Sequence, residues 1–152
     1  MAARPVLASC LAALAVAGGV LALPSTAEGA TPAIRITKIY YNSPGSDTGS
    51  NTSLNAEYVR ITNRGTTNRS LTGWTLKDKQ GYTFRFPTFT LKAGYSVVIH
   101  TGKGTASATN RYYNRAWYVW NNTGDTAYLR DAGGVLKDSW AFTGTSAGYV
   151  SR

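Results

Sequence analysis

The sequence predicts an all-β fold, a two-sheet sandwich of about seven to nine short strands within about 110 residues, preceded by an N-terminal signal-peptide helix. Three observations predict it. After Leu23 the apolar residues alternate with a period of two and almost nowhere with the period of a helix. The alternating runs are short and bounded by Gly, Asn, Asp, Ser and Thr. Before Leu23, an unbroken apolar run carries no charge at all.

That run, residues 6–23, follows a single charge at Arg4 and leads to Pro24 and Ser25-Thr26-Ala27. A short positive start, an apolar middle and small residues at the end describe an export signal, so residues 1–27 read as a signal peptide cleaved after Ala27. Residues 28–33 then form a short linker. A retained membrane span is the competing reading, since about 18–20 apolar residues cross a bilayer. The run's Ala and Gly content and the lack of a following basic cluster argue against it, so no stable membrane insertion is expected after cleavage. Leu7-Ala8-Ser9-Cys10 has the form of a lipidation motif, but the apolar run continues past it.

Cys10 is the only cysteine and would leave with the signal. The mature chain then has no disulfide, no zinc-thiolate site and no Cys nucleophile, and its core alone must hold it. The whole chain carries 16 Lys and Arg against 7 Asp and Glu, a net charge of +9. Cleavage removes only Arg4 among the charges and leaves +8. Such a balance favours anionic partners without selecting one.

Along the mature chain, 33–41 opens with Ile34 and Ile36 alternating against Arg35 and Thr37, then loses phase near Lys38 and Ile39, which predicts a bulge. Residues 42–55, rich in Ser, Gly, Asn and Thr, read as an exposed loop. In 57–62, Val59 and Ile61 point inward and Tyr58 and Arg60 outward, and Asn63 and Gly65 end the strand. Leu71, Trp74 and Leu76 form the next inward set. Tyr82, Phe84 and Phe86 share a face until Pro87 stops the strand. Phe89, Leu91 and a turn at 92–94 lead to 95–101, where Val97 and Ile99 face the core. Residues 102–110 read as a flexible loop, and 117–120 and 126–130 as strands flanking a polar turn at 121–125. A hairpin turn at 131–134 precedes a last strand over 135–142, and 144–152 reads as a C-terminal tail.

Several of these segments recur together in one known family. Glu57-Tyr58-Val59-Arg60-Ile61-Thr62-Asn63, Gly73-Trp74, Phe84-Arg85-Phe86-Pro87, Phe89-Thr90-Leu91-Lys92-Ala93-Gly94 and Trp120-Asn121-Asn122-Thr123-Gly124-Asp125-Thr126-Ala127-Tyr128-Leu129 stand in the order and spacing of the lamin tail domain. The chain resembles that family over residues 34–143. The resemblance implies an immunoglobulin-like sandwich in which the motif residues are mainly structural. Trp74 and Phe86 would fill the core, with Pro87 and Gly94 shaping turns. Trp120, Asn121, Gly124 and Asp125 would build one corner, Asp125 bracing a turn through backbone N–H groups. Family members act as tethers, as binding modules for DNA, chromatin or proteins, and as accessory domains beside exported nucleases and phosphoesterases. Partner identity does not transfer, because this chain lacks both a coiled-coil rod and room for a catalytic domain.

The sequence offers little material for catalysis. His100 is the only histidine and sits in strand alternation, and neither a Gly-x-Ser-x-Gly elbow nor a His-Glu-x-x-His spacing occurs. Glu57, Asp78, Asp125, Asp131 and Asp138 lie on separate strands or turns, and read as turn caps. Asp47 with Asn42, Asn51 and Asn55 supplies oxygen ligands for calcium, but one carboxylate makes a weak site; no metal and no cofactor is expected. The segment Arg111, Tyr112, Tyr113, Arg115, Trp117 and Tyr118 interleaves positive charge with large rings and is the candidate ligand site, joined by Arg60 and Arg85. Other outward positives are Arg64, Arg69, Lys77 and Lys79.

The expected function is therefore a secreted, non-enzymatic binding or tethering module. It would act on a protein or an envelope polymer, at the cell envelope or in the medium. Extracellular polyanion binding, with DNA as ligand, is the alternative. A small hydrolase using His100 and Asp125 is the third reading.

Overall fold

The computed structural model describes residues 32–152, so the signal peptide and most of the linker lie outside the described residues. Two sheets face one another in an immunoglobulin-like sandwich. The first chain element is β1 (Ile34–Tyr40), followed by the short helix α1 (Asn51–Ala56), β2 (Tyr58–Asn63), β3 (Arg69–Ser70), β4 (Thr75–Lys77) and β5 (Thr83–Arg85). Then come β6 (Thr90–Leu91), β7 (Ser96–His100), β8 (Asn110–Tyr112), β9 (Gly124–Arg130), β10 (Leu136–Thr143) and β11 (Tyr149–Ser151). The five-stranded sheet has the order β11-β1-β2-β7-β8, the four-stranded sheet β10-β9-β4-β5, and β3 pairs with β6 at the side.

Period-two burial builds the core. Ile34, Ile36 and Ile39 of β1, Val59 and Ile61 of β2, and Val97 and Ile99 of β7 are buried from the first sheet. Leu76, Phe84, Ala127, Leu129 and Phe142 meet them from the second. Each large side chain removed from water in this way contributes about 1.5–3 kcal/mol. Ile36 and Ile39 are three residues apart yet share a face. The pairing with β2 explains this: it slips between Ile36↔Ile61 and Lys38↔Arg60, leaving Thr37 as the extra residue of a bulge, as the loss of phase predicts. Asn63 ends β2 with its own side chain, its Nδ2 donating to the carbonyls of Thr67 (2.9 Å) and Leu91 (3.0 Å).

The motif residues fall where the resemblance implies, with one adjustment. Phe86 is 1% exposed and stacks on Phe89 at 5.7 Å, while Trp74 only half-enters the core and packs against its margin. Pro87 stands two residues past the end of β5, and Gly94 adopts φ +76° in the turn before β7, a conformation that costs a residue with a Cβ.

Five expectations need correction. Residues 42–55 are not all loop, because α1 begins at 51; Ser50 caps it by accepting from the Ser53 N–H (3.3 Å), and Leu54 is buried. Six residues are too few to display helical periodicity. The expected strand at 117–120 is an irregular segment with Val119 and Trp120 buried, and the strand lies earlier, at β8, which overlaps the end of the expected loop at 102–110 and pairs parallel to β7. Tyr82 does not share the face of Phe84 and Phe86: it precedes β5 in a turn and is 39% exposed. Residues 144–152 are not a trailing tail, because β11 pairs with β1 through Lys38↔Ser151, Ile39↔Val150 and Tyr40↔Tyr149. Arg152 fixes that end by donating to the Ile36 carbonyl (2.9 Å) and pairing with Asp138.

Truncating Phe86 to Ala is expected to cost about 3–5 kcal/mol, because two sheets cannot collapse onto the space it leaves. Urea unfolding of the variant checks it; a loss below about 1 kcal/mol would place Phe86 outside the shared core.

Candidate ligand-binding cleft

After β8 the chain crosses from the five-stranded sheet to the four-stranded one, and three side chains pin that crossing. Tyr113 turns inward against Phe84 (ring centroids 5.7 Å), and its hydroxyl donates to the Leu76 carbonyl (3.0 Å). Burial, together with the nearby carboxylates of Asp78, Glu57 and Asp125, holds its phenol well above the usual range. Arg115 lies over the Tyr82 ring at 4.1 Å and Arg111 over the Phe89 ring at 4.2 Å. Further on, the Tyr118 hydroxyl shares a proton with Ser53 Oγ (2.6 Å) and accepts from the Gly49 N–H (3.3 Å).

Beneath these contacts sits Glu57, fully buried. Its Oε1 accepts from the Thr101 hydroxyl (2.5 Å) and the Val119 N–H (2.8 Å), while Oε2 has no partner. Burial outweighs these hydrogen bonds and pushes the carboxyl up from 4.5 to about 7. The period-two phase of Val59 and Ile61 already places Glu57 inward, and this was the sequence signal for it.

Together the 47–50 loop, the 78–82 turn and the 117–123 segment enclose a cleft of about 430 Å³. Asp47, Gln80, Tyr82, Trp117, Trp120 and Asn122 line it. Trp117 is 60% exposed, its ring resting on Gly49 and edge-on to Tyr118 at 5.4 Å. Asn122 Nδ2 donates to Asp47 Oδ2 (3.0 Å) across the mouth.

The frame is stiff because its carboxylates hold turn amides. Asp78 Oδ1 accepts from Gly81 (2.7 Å) and Tyr82 (2.6 Å) N–H groups, and burial raises its pKa despite them. Asp125 accepts from the N–H groups of Lys79 (3.1 Å), Thr126 (2.6 Å) and Asn121 (3.3 Å), so one side chain joins two turns. With its amide nitrogen turned toward them, Gln80 donates to both Asp78 (2.5 Å) and Asp125 (3.2 Å). Gly124 has φ +142°, and a Cβ there would stand 2.8 Å from the Phe142 carbonyl oxygen. This corner is thus Trp120, Asn121, Gly124 and Asp125 working as one turn.

The sequence profile of the Lamin Tail Domain family matches residues 27–144. The chain belongs to the lamin tail domain family. A search of curated proteins returns no match. The family is one of non-enzymatic immunoglobulin-like domains, and the corner just described falls within the matched region.

Within this lamin tail domain the candidate ligand residues separate. Trp117 and Tyr118 line the cleft and Arg115 borders it through Tyr82. Tyr113 is structural. Arg85, Arg111 and Tyr112 meet in a second depression beside Pro87, with Arg85 also donating to the Gly73 carbonyl (2.9 Å). Arg60 belongs to the outer face of the five-stranded sheet, donating to Thr37 Oγ1 (3.2 Å). The calcium set is not assembled: Asn51 and Asn55 both donate to the Lys103 carbonyl (3.0 and 2.8 Å), and Asp47 is held by Asn122. The hydrolase pair is not joined either, since His100 contacts the Asn55 carbonyl (2.7 Å) and Asn110 Oδ1 (2.9 Å) while Asp125 serves turns. Asp47, Gln80 and Tyr82 were missed as cleft residues, and no local pattern marks them.

A raised acid is stabilised in its neutral form by the fold. Glu57 therefore supports the structure most fully below about pH 4.5, loses that support as pH rises toward about 7, and contributes a constant penalty above. The change is worth about 3 kcal/mol. Glu57→Gln is expected to flatten the stability profile across that interval, measured by urea unfolding near pH 5 and pH 8. Parallel profiles for the two proteins would assign the pH dependence elsewhere.

Proposed function

We propose that the protein is an exported, non-catalytic binding or tethering module that grips its partner through the cleft around Trp117, at the cell envelope or in the surrounding medium. The observation that carries this is an indole held 60% exposed on a braced frame. Tryptophans fixed in this way are typical anchors of binding surfaces, because they bury large area at little entropic cost. Export is supported by the signal-like residues 1–27, with mature protein starting at Glu28.

The cleft also argues for the partner's charge. Asp47 lines the cleft and Asp78 and Asp125 lie buried behind it, with the raised Glu57 beneath, so four of the six acidic residues in 32–152 gather at this end of a chain of net charge +9. A neutral or positively charged group on a protein or envelope polymer suits it better than a phosphate. Nucleic-acid binding is the second reading, and it draws on the Arg85, Arg111 and Tyr112 depression instead.

Trp117→Ala is expected to lower binding to an isolated cell-envelope fraction about tenfold while the melting temperature is kept. Equal binding by both proteins, or recovery of the protein with residues 1–27 intact from the cytoplasm, would remove this reading. Intact-mass measurement on protein from the medium reads the cleavage site directly.

A further inference from the structure

We infer that the outer face of the five-stranded sheet is a separate binding site for a linear acidic polysaccharide. Strand register places Tyr149, Tyr40, Tyr58, His100 and Tyr112 in one row across β11, β1, β2, β7 and β8. Successive ring centroids are 5.4, 5.5, 5.8 and 5.1 Å apart, so the rings form one unbroken strip. Five strands at ~4.8 Å spacing make it about 20 Å long. Cross-strand aromatic pairs do stabilise a sheet, by about 0.2–1 kcal/mol each. This row goes further at its β11-β1-β2 end, where Tyr149, 38% exposed, and the half-buried Tyr40 and Tyr58 keep ring surface in water that a ligand would cover, while α1 and Gly104 partly cover His100 and Tyr112.

The neighbouring rows decide the ligand's charge. None of these five strands contains Asp or Glu. Lys38 stands 4.1 Å from the Tyr149 ring and 5.4 Å from Tyr40, and Arg60 follows in the next strand, opposite Lys38. Asp138, which reaches the edge of β1, is already paired with Arg152 and the Ile36 N–H (2.8 Å). Beyond the cations runs a chain of hydroxyls, Thr37 to Thr62 (2.7 Å) to Ser96 (2.8 Å).

The polar groups of the strip favour a sugar chain over a nucleic acid. The hydroxyls of Tyr40, Tyr58, Tyr112 and Tyr149 make no hydrogen bond among the described residues. Four free phenols, each donor and acceptor, beside ring edges and two cations suit a ligand dense in hydroxyl and carboxylate groups.

The test uses polygalacturonate as the probe, with an uncharged linear glucan and single-stranded oligo-dT as comparisons, by titration calorimetry at low and moderate salt. The wild-type chain is expected to prefer polygalacturonate and to lose affinity as salt rises. Lys38→Gln with Arg60→Gln, and separately the exposed-edge variant Tyr149→Ser, are each expected to weaken binding about tenfold while the melting temperature falls by no more than a few degrees. Trp117→Ala should bind polygalacturonate normally, which keeps this site distinct from the cleft. Unchanged affinity in the sheet variants, equal affinity for the uncharged glucan, tighter binding of oligo-dT, or loss of binding in Trp117→Ala would each overturn the inference.

Discussion

One buried carboxyl group fixes the shape of the cleft end of this sandwich. Glu57 stands at the start of β2 and holds both the Thr101 hydroxyl, just past β7, and the Val119 N–H, in the segment that crosses between sheets. Thr101 in turn donates its N–H to the Glu57 carbonyl (3.1 Å), so side chain and backbone clasp the same pair of strands. A residue of this kind is costly to bury charged, and the fold answers by keeping it neutral over most of the acidic range. Without it, Val119 would lose its partner, and Trp117 and Tyr118, two residues and one residue before it, would lose their footing.

The other carboxylates of this corner are spent on turns. Asp125 accepts from three backbone N–H groups and Asp78 from two, with Gln80 bridging them. Oxygens engaged in this way point at turn amides and not into the cleft. They make a good frame. Rigidity is what a binding surface requires if an exposed indole is to meet a ligand without first being ordered.

Much of the fold was legible because burial here has a strict period of two. Val59 and Ile61, Val97 and Ile99, and the slip near Lys38 each state their orientation locally. What escaped local reading depended on distance. α1 is one turn and a half, too short for its period to show, and β11 is a strand only because β1 offers it an edge more than 100 residues earlier. The site was legible in part for the same reason. Trp117 and Tyr118 announce themselves as rings beside a polar turn, but the sequence cannot tell that Tyr113, four residues before Trp117, faces the core while Trp117 faces water. The row of Tyr149, Tyr40, Tyr58, His100 and Tyr112 needs the register of five strands, which no segment contains by itself.

Net charge, taken as one number, misdescribes this molecule. A value of +9 suggests a surface that draws polyanions everywhere, yet four of the six acids in 32–152 lie near the cleft, three of them buried, and none lies within a strand of the five-stranded sheet. Segregation of this kind lets one small domain present two electrostatic characters without a second domain to carry the other. A tether has to hold two things at once, and linking two weak contacts raises overall avidity far above either alone. With no cysteine beyond Cys10 to cross-link it, the described domain must keep the two surfaces in fixed relation through its packed core alone. The tightness of that core, with Ile36, Ile39, Val59, Ile61, Leu76, Val97, Ile99 and Leu129 wholly out of solvent, is therefore as much a condition of binding as of folding.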